Sequence, residues 1–397
     1  MDPGDVEYEP VSVKAVLVEM KDTAELLIDL AYSAVLHGSD EVAAEVLELE
    51  ERMDVLQLQA RMSLLMAARS PEDAEALAPV LGVVGAAEKV SDAAGDIAKV
   101  VLEDIGVPEA MRTAIPEAVE TVVRAEVAAD SPYAGRTLGD SNLETETGVR
   151  VIAIRREGEW VVNPDGDSTL AAGDVALLRG TEESLTSVYE AVTGDAYAPP
   201  EPVESTIDDL DRAVDSIVLM KNMSELAVDL AYGSVLFDSE GVAEEVVELE
   251  AEVDALKSRF EAWVLRAAGR VEDPISLRGL VHLASATEVI SDAALEISEG
   301  VLRGLDTHPV VAAAVEESDE VIVRATVAPE STLAGATLGE LQVKTETGMR
   351  VIAIRRGGGD WVLSPGPETA VHAGDALIAK GTRSGADRLR DLAGETD

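Results

Sequence analysis

TETGVRVIAIRR, at Thr145–Arg156, is repeated as TETGMRVIAIRR, at Thr345–Arg356, with Val149 replaced by Met349. Between Arg150 and Arg155 the residues alternate with a period of two, which predicts a β-strand that carries arginine at both ends. Because this segment is written twice at an offset of 200 residues, the chain is expected to contain two copies of one module.

A duplication of the whole chain surrounds the quoted segment. Leu30–Tyr32 recurs as Leu230–Tyr232 at the same offset of 200, and Trp160 recurs as Trp361 at an offset of 201. In each copy, a long stretch of helical periodicity is followed by a shorter stretch of period two. The predicted boundaries are 1–119 for a helical bundle, 120–194 for a small module, 195–205 for a linker rich in Pro and Glu, 206–319 for the second bundle and 320–397 for the second module.

Turn signals divide each copy into elements. Breaks near His37–Asp40, Ser70–Glu72 and Gly106–Pro108 predict three long helices in the first bundle, and the second bundle repeats them. A short helix is predicted at Pro108–Glu117. The first module is expected to contain strands, a hairpin and a closing helix, at Thr121–Val127, Arg150–Arg155, Gly158–Val162, Val175–Leu178 and Glu182–Ala191. The predicted fold class is α+β, with two antiparallel three-helix bundles that alternate with two small modules.

The charge of the chain limits its partners. Asp and Glu number 78 against 31 Lys and Arg, which gives a formal net charge of −47. Such a surface repels nucleic acid and anionic lipid, and salt screens its self-repulsion. The composition resembles that of proteins from salt-accumulating halophiles. There is no cysteine, no apolar signal region and no apolar run long enough to span a bilayer, so we expect a cytoplasmic protein without direct membrane insertion.

The small modules resemble the TrkA C-terminal domain, also called RCK-C, of potassium-uptake regulators. The resemblance rests on Ser131–Gly139, Gly148–Arg156, Asn163–Pro164, Ala172–Asp174 and Arg179–Gly180. It implies a βαββ-type module that forms dimers and binds a small regulatory ligand, which is cyclic di-AMP in some members. Two copies in one chain could form this dimer internally, around a pseudo-two-fold axis. No Gly-rich Rossmann fingerprint precedes either module, so sensing of NAD or ATP is not implied.

The arginines of the repeated strand are candidates for binding an anionic effector, because guanidinium groups chelate phosphate in a bidentate way. The alternative is that they solvate the strand or pair with nearby glutamates. The predicted effector-binding residues are Arg150, Ile152, Arg155, Arg156, Asn163, Arg350, Ile352, Arg355 and Arg356.

The bundles are similar to PhoU-type three-helix halves, in which carboxylate pairs spaced by four residues hold metal ions. Such spacing places both carboxylates on one face of a helix. The resemblance implies a metal site at Glu50, Asp54, Glu88 and Asp92, and a second one at Glu250, Asp254, Glu288 and Asp292. Oxygen ligands favour Mg or Mn, while Fe or Zn are also acceptable. The alternative is chance, since about one residue in five is acidic and Glu25 and Asp29 show the same spacing.

A catalytic role is not expected. None of the four histidines recurs in the other copy, and the chain contains no nucleophile elbow, P-loop or zincin helix. The resemblances instead imply a regulatory subunit of an integral-membrane cation transporter, with potassium as the leading cargo and magnesium or another divalent ion next. In this prediction the chain is an intramolecular pseudo-dimer or also a homodimer. The alternatives are a PhoU-like metal-binding adaptor in phosphate signalling and, ranked lower, a hydrolytic metalloenzyme.

Overall fold

The structure is a computed structural model that describes residues 13–108, 111, 121–198, 207–237, 239–304, 320–363 and 365–394. It divides into two compact units. Unit 1 comprises Met1–Met66, Val83–Glu225 and Ala251–Ala293, and unit 2 comprises Ala67–Gly82, Leu226–Glu250 and Ala294–Asp397. Each unit therefore contains helical segments from both sequence copies and one of the two small modules.

Three long helices form the helical part of the first copy, as the sequence predicts. They are α1 (Val13–His37), α2 (Asp40–Ala67) and α3 (Pro71–Leu102). The turn before α3 follows the expected chemistry, because Ser70 Oγ accepts a hydrogen bond of 3.1 Å from the backbone N–H of Asp73 and Pro71 is the first helical residue. The predicted helix at Pro108–Glu117 lies mostly outside the described residues.

The first module is built on a four-stranded antiparallel sheet. Its elements are β1 (Thr121–Glu126), β2 (Arg136–Thr137), α4 (Leu138–Ser141), α5 (Leu143–Thr147), β3 (Arg150–Arg156), β4 (Glu159–Val162), β5 (Thr169–Leu170), β6 (Val175–Gly180) and α6 (Glu182–Thr193). The strand order is β1-β6-β3-β4, and β2 pairs separately with β5. One face of the sheet packs on α6, with Val151, Ile154, Leu178 and Leu185 in this core.

The second copy repeats this organisation. Its helices are α7 (Asp208–Phe237), α8 (Glu240–Ala268) and α9 (Arg278–Leu302), and a 3₁₀ turn at Pro274–Leu277 precedes α9. The second module contains β7 (Glu320–Thr326), α10 (Val343–Thr347), β8 (Met349–Arg355), β9 (Trp361–Leu363), β10 (Ala376–Thr382) and α11 (Arg383–Ala393). The sheet order β7-β10-β8-β9 corresponds to that of the first module. The predicted α+β class and the duplication are confirmed.

The second face of each sheet lies against a helix of the same copy. In unit 1, α1 contacts β1 and β4, and Ser33 Oγ donates a hydrogen bond to the carbonyl of Val122. In unit 2, Gly233 of α7 approaches β7 so closely that a Cβ atom there would lie 3.3 Å from Ile322. Both faces of each sheet are thus covered, which is why β3 and β6 are almost continuously apolar.

None of the helices that the structure describes is both long enough and apolar enough to cross a membrane.

Candidate functional site

A buried glutamate of α2 ties the first sheet to the helical domain. Glu45 is only 3% exposed, and its Oε1 accepts hydrogen bonds from Arg124 Nε of β1 at 3.0 Å and from Arg155 Nη2 of β3 at 2.5 Å. Because a carboxylate removed from water must be paired, the two arginines compensate the burial of its charge. We call this group clamp 1.

The second copy contains the corresponding group. Glu245 of α8 is 1% exposed and accepts from Arg324 Nε of β7 at 2.6 Å. Arg355 of β8 binds both oxygens of the same carboxylate, through Nη2 at 2.9 Å and through Nε. These hydrogen bonds raise the pKa of Arg355. We call this group clamp 2, and its bidentate geometry is the stronger form of such a contact.

The next arginine of each repeated strand binds within its own module. Arg156 donates to both oxygens of Asp174, at 2.8 and 2.6 Å, and to the carbonyl of Thr169. Burial would raise the pKa of Asp174, but the hydrogen bonds from Arg156 and from the backbone N–H of Ala171 hold it below its ordinary value. Arg356 forms the equivalent ion pair with Asp375. Both pairs fasten the turn that precedes the last strand of the module.

The first arginine of each repeated strand differs from the others. Arg150 is exposed, and within the part of the chain that the structure describes its guanidinium has no carboxylate partner. The residue directly across from it on β6 is Arg179. In the second module, Arg350 is likewise exposed and lies directly opposite Lys380. Each repeated strand thus carries an exposed arginine beside a cation of the neighbouring strand, and in the first module that neighbour, Arg179, is itself paired with Asp29.

The remaining candidate effector residues are less accessible. Ile152 is buried, at 7% exposure, and Ile352 is half-buried. Asn163 is exposed and its side chain hydrogen-bonds with Asp22 of α1. The effector-binding set stays a prediction.

A further ionic link joins β6 to α1 in unit 1. Arg179 Nη1 lies 2.9 Å from Asp29 Oδ2. Burial raises the pKa of Asp29 to about 6, while Arg179 lowers it and Glu225 of α7 raises it. Close to this link, the hydroxyl of Tyr32 hydrogen-bonds with that of Thr287 of α9. The first sheet thus contacts α1 at a point where helices of both copies meet.

Three of the eight carboxylates predicted to bind metal have cationic partners in unit 1. Lys99 Nζ lies 3.7 Å from Glu50 Oε1, and Arg61 Nη2 lies 3.3 Å from Glu88 Oε2. Lys257 forms an ion pair with Glu288. Burial raises the pKa of Glu50; Lys99 opposes this shift, and Asp92 adds to it. Burial and Glu88 together raise the pKa of Asp92. The four carboxylates of the first set therefore share one region, in which ammonium and guanidinium groups supply the positive charge.

The predicted metal sites do not assemble in this structure. Among the residues that it describes, no group of three or more His, Cys, Asp or Glu side chains is arranged to hold a metal ion. Of the second set, Asp254 and Asp292 are exposed and Glu250 is half-buried. Cationic side chains pair with Glu50 and Glu88 of the first set and with Glu288 of the second, and the two metal sites stay a prediction.

Comparison with known proteins identifies both domain types. The model of the PhoU domain matches residues 17–101 and 217–301, and the model of the TrkA-C domain matches residues 122–193 and 322–394. The chain is a tandem duplication of a PhoU domain followed by a TrkA-C domain. The resemblance inferred from the sequence is confirmed, and both small modules are TrkA-C domains.

One curated relative shares part of the chain. Over 56 residues the chain is 43% identical to "Probable potassium channel protein 2" of Methanocaldococcus jannaschii. The match covers 14% of this chain and 16% of the relative, so the chain spans less than a fifth of that protein.

Three solved structures are similar to parts of this chain. The RCK_C domain dimer of S. agalactiae BusR in complex with c-di-AMP is 26% identical, with 19% of this chain and 94% of that chain covered and a TM-score of 0.18. PhoU from Pseudomonas aeruginosa is 13% identical, with 74% of this chain and 96% of that chain covered and a TM-score of 0.44. The GsuK RCK domain is 17% identical, with 70% of this chain and 64% of that chain covered and a TM-score of 0.19.

The sequence patterns alone did not predict a role for Glu45 and Glu245, the buried glutamates of the two clamps. In a chain with 78 acidic residues, composition alone does not distinguish Glu45 and Glu245 from the other carboxylates. A signal was present, however. In α2, Glu45 interrupts the buried stripe formed by Val42, Val46 and Leu49. A carboxylate that occupies a core-facing position in both copies requires a buried cationic partner.

Proposed function

We propose that this chain is a non-enzymatic, cytoplasmic regulatory subunit of an integral-membrane cation transporter, with potassium as the first candidate ion. The TrkA-C modules would receive a small anionic effector, and the PhoU domains would carry the response to the transporter. The TrkA-C matches and the partial relative named as a potassium channel protein both support a role in the regulation of ion transport.

The clamps are the observation on which the mechanism rests. Each TrkA-C sheet is fastened to a PhoU helix of its own copy by two arginines on one buried glutamate. Since the carboxylate is enclosed, the sheet cannot shift along the helix without breaking and remaking these hydrogen bonds. Such contacts favour two discrete arrangements over continuous deformation. An effector that prefers one arrangement would therefore shift the PhoU helix as well.

The effector is proposed to be a phosphate-bearing small molecule such as cyclic di-AMP. Arg155 and Arg355 are already held by glutamates, and Arg156 and Arg356 by aspartates. Arg150 and Arg350 remain exposed, each opposite a second cation. We therefore assign phosphate binding first to Arg150 and Arg350. The pairing of the two modules around one effector stays a prediction.

Calorimetric titration at high KCl tests effector binding. We expect cyclic di-AMP to bind the full chain, and the double variant Arg150→Ala, Arg350→Ala to bind at least about tenfold more weakly, because a charged hydrogen bond contributes roughly 1.5–3 kcal/mol. Arg303→Ala, which removes an exposed arginine that follows α9 and pairs with Glu299, is the matched control and should bind normally. Absence of heat with cyclic di-AMP, and equally with other cyclic dinucleotides, would refute effector binding.

Hydrogen exchange tests the coupling separately. On addition of the effector, amides of α2 around Glu45 should change their exchange rates in the wild type. In the double variant Glu45→Gln, Glu245→Gln, the effector should still bind while the response of α2 and α8 disappears. Binding with an unaltered helix response in this variant would show that the clamps do not transmit the signal.

The second candidate function is a PhoU-type adaptor in phosphate transport signalling. The two PhoU matches favour it in part. Elemental analysis of the purified chain before and after EDTA separates the candidates, since stoichiometric metal that EDTA removes would favour the metal-binding adaptor. Co-purification with a cation permease rather than with a phosphate transporter would favour the first.

A further inference from the structure

The C-terminal half of α2 exposes an apolar stripe that no part of the proposed function uses. Val55 and Leu58 are about two-fifths exposed, Leu65 is 73% exposed and Met66 is 64% exposed, while Met62 between them is half-buried. We call these five residues the α2 seam. Leu65 is among the most exposed large apolar side chains in the described residues, although such side chains are normally buried.

The spacing of the seam is that of a helix-pairing surface. Val55, Leu58, Met62 and Leu65 follow one another at intervals of three, four and three residues, which is the a/d repeat of a coiled coil. The opposite face of the same helix, with Met53, Leu56, Ala60 and Leu64, is buried in the PhoU core. The seam therefore lies on the face of α2 that is directed away from the core of its own domain.

The surroundings of the seam are unusual for this chain. No acidic residue occurs between Val55 and Ser70, although Asp and Glu make up 78 of the 397 residues. Two surfaces of a chain with a net charge of −47 can approach closely only where carboxylates are absent, because like charges repel most strongly at short range. An anionic lipid surface is disfavoured here, because the chain has a net charge of −47 and Arg61, one of the two arginines between Val55 and Ser70, is already paired with Glu88.

We propose that the α2 seam is a self-association surface, through which two copies of this chain pair α2 against α2. An isologous contact needs one patch that is complementary to itself, and an uncharged a/d seam meets that requirement. The seam extends over only about three helical turns. The area that two such seams would bury is therefore well below that of a standard stable interface. We therefore expect a weak dimer that salt strengthens, because screening reduces the repulsion between the two acidic chains.

The second copy provides a matched control. At the positions that correspond to Val55, Leu58 and Met62, helix α8 carries Ala255, Ser258 and Ala262, and only Leu265 is retained, at 76% exposure. A substitution at Leu265 thus alters an equally exposed leucine on a helix that lacks the seam.

Sedimentation equilibrium of the full chain tests the proposal. As KCl is raised from about 0.2 M to about 3 M, the mass of the wild type should rise from 41.7 kDa towards that of two chains. The double variant Leu58→Glu, Leu65→Glu should weaken the dimer by roughly 100-fold or more, because each lost apolar contact counts twice in a two-fold interface. Leu265→Glu should associate as the wild type does. The milder Leu65→Gln, which retains the net charge, should weaken the dimer to a smaller extent.

Three results would overturn the proposal. One is a wild type that stays monomeric at every salt concentration. Another is a dimer that the Leu58 and Leu65 substitutions leave unchanged, or that Leu265→Glu weakens equally. The third is co-sedimentation of a monomeric wild type with vesicles of anionic phosphatidylglycerol, abolished by Leu65→Glu, which would reassign the seam to a membrane surface. Far-UV circular dichroism of each variant confirms folding, and all the substituted leucines are exposed.

Discussion

The two clamps have the same residues but different hydrogen bonding. In clamp 2, both oxygens of Glu245 accept from arginine and Arg355 binds in a bidentate way. In clamp 1, both arginines share Oε1 of Glu45, while the buried Oε2 of Glu45 and Nε of Arg155 have no hydrogen-bond partner among the described residues. The comparison indicates that the buried charge must be paired in each copy, whereas the detailed geometry of the pair can vary.

The contacts around the clamps differ more widely. Glu41 gives Arg124 a second carboxylate at 3.4 Å, but the equivalent residue is Gly241, and Arg324 donates instead to Thr326 Oγ1 at 2.9 Å. Exposed ion pairs contribute little to stability, so their exchange costs little. What both copies retain is the contact that would be costly to break.

The largest effect is expected from removing the cations of one clamp. The double variant Arg324→Met, Arg355→Met leaves the carboxylate of Glu245 buried and unpaired, which should lower the free energy of unfolding by about 3–5 kcal/mol. The corresponding variant Arg124→Met, Arg155→Met should lose about 1 kcal/mol less, because clamp 1 already contains an unsatisfied oxygen. Urea unfolding at constant high KCl measures both. Equal losses would show that the two geometries are energetically equivalent.

The next largest effect concerns pH and Asp29. Burial raises the pKa of Asp29 to about 6 in the folded chain, against roughly 3.9 when unfolded. Between these values the folded state keeps a proton that the unfolded state has lost, so the free energy of unfolding falls as pH rises from about 4 to about 6. Asp29→Asn should remove this contribution, which is on the order of 3 kcal/mol. Urea unfolding of the wild type and the variant from pH 4 to pH 7 measures this difference in the free energy of unfolding.

His37 provides the opposite slope in a similar pH range. Burial lowers its pKa to about 4, against roughly 6.5 when unfolded, so its contribution to stability is lost as pH falls from about 6.5 towards 4. The second copy has Phe237 at this position. In His37→Phe, the free energy of unfolding should keep only the Asp29 contribution and fall as pH rises. In Asp29→Asn, it should keep only the His37 contribution and rise with pH. Parallel profiles for the wild type and both variants would contradict the assignment.

A smaller effect is expected where helix and sheet meet. In the first copy, Ser33 of the helix faces Val122 of the strand. In the second copy the helix residue is smaller and the strand residue is larger, because Gly233 faces Ile322. Gly233→Ser should cost about 1–2 kcal/mol through overpacking against Ile322. The companion substitution Ile322→Val should recover most of the loss. A double-mutant cycle measures this coupling, and simple additivity of the two changes would argue against direct contact.

The smallest effect is expected from Glu41→Gln. Glu41 is 77% exposed, and its ion pair with Arg124 should contribute at most about 0.5 kcal/mol. The variant also serves as a control for the clamp experiment, because it removes the outer carboxylate partner of Arg124 and leaves Glu45 unchanged. A loss comparable to that of the clamp variants would mean that the outer pair, and not the buried one, holds the sheet.

Much of the fold could be predicted from the sequence. The breaks at His37–Asp40 and Ser70–Glu72 correspond to the ends of α1 and α2, and the repeated segment forms β3 and β8 as expected. These predictions succeeded because helix ends and strand alternation depend on neighbouring residues and on turn chemistry.

The candidate sites were harder to predict. The sequence alternative in which the arginines pair with glutamates describes Arg155 and Arg355, yet the partners lie 110 residues away along the chain. The carboxylate spacing placed Glu50 and Asp54 on one helix correctly, but it carried no information on Lys99 of α3, which approaches Glu50. Spacing along one helix cannot show which charges another helix brings near.

The sequence by itself determined that this chain is duplicated, that each copy is a helical domain followed by a small sheet module, and that its surface is strongly acidic. These properties follow from periodicity, composition and repetition, all of which are local or additive. Only the tertiary structure decided which arginines hold a buried glutamate and which remain exposed. Burial sets the cost of an unpaired charge, and burial is a property of the packed chain rather than of any single segment.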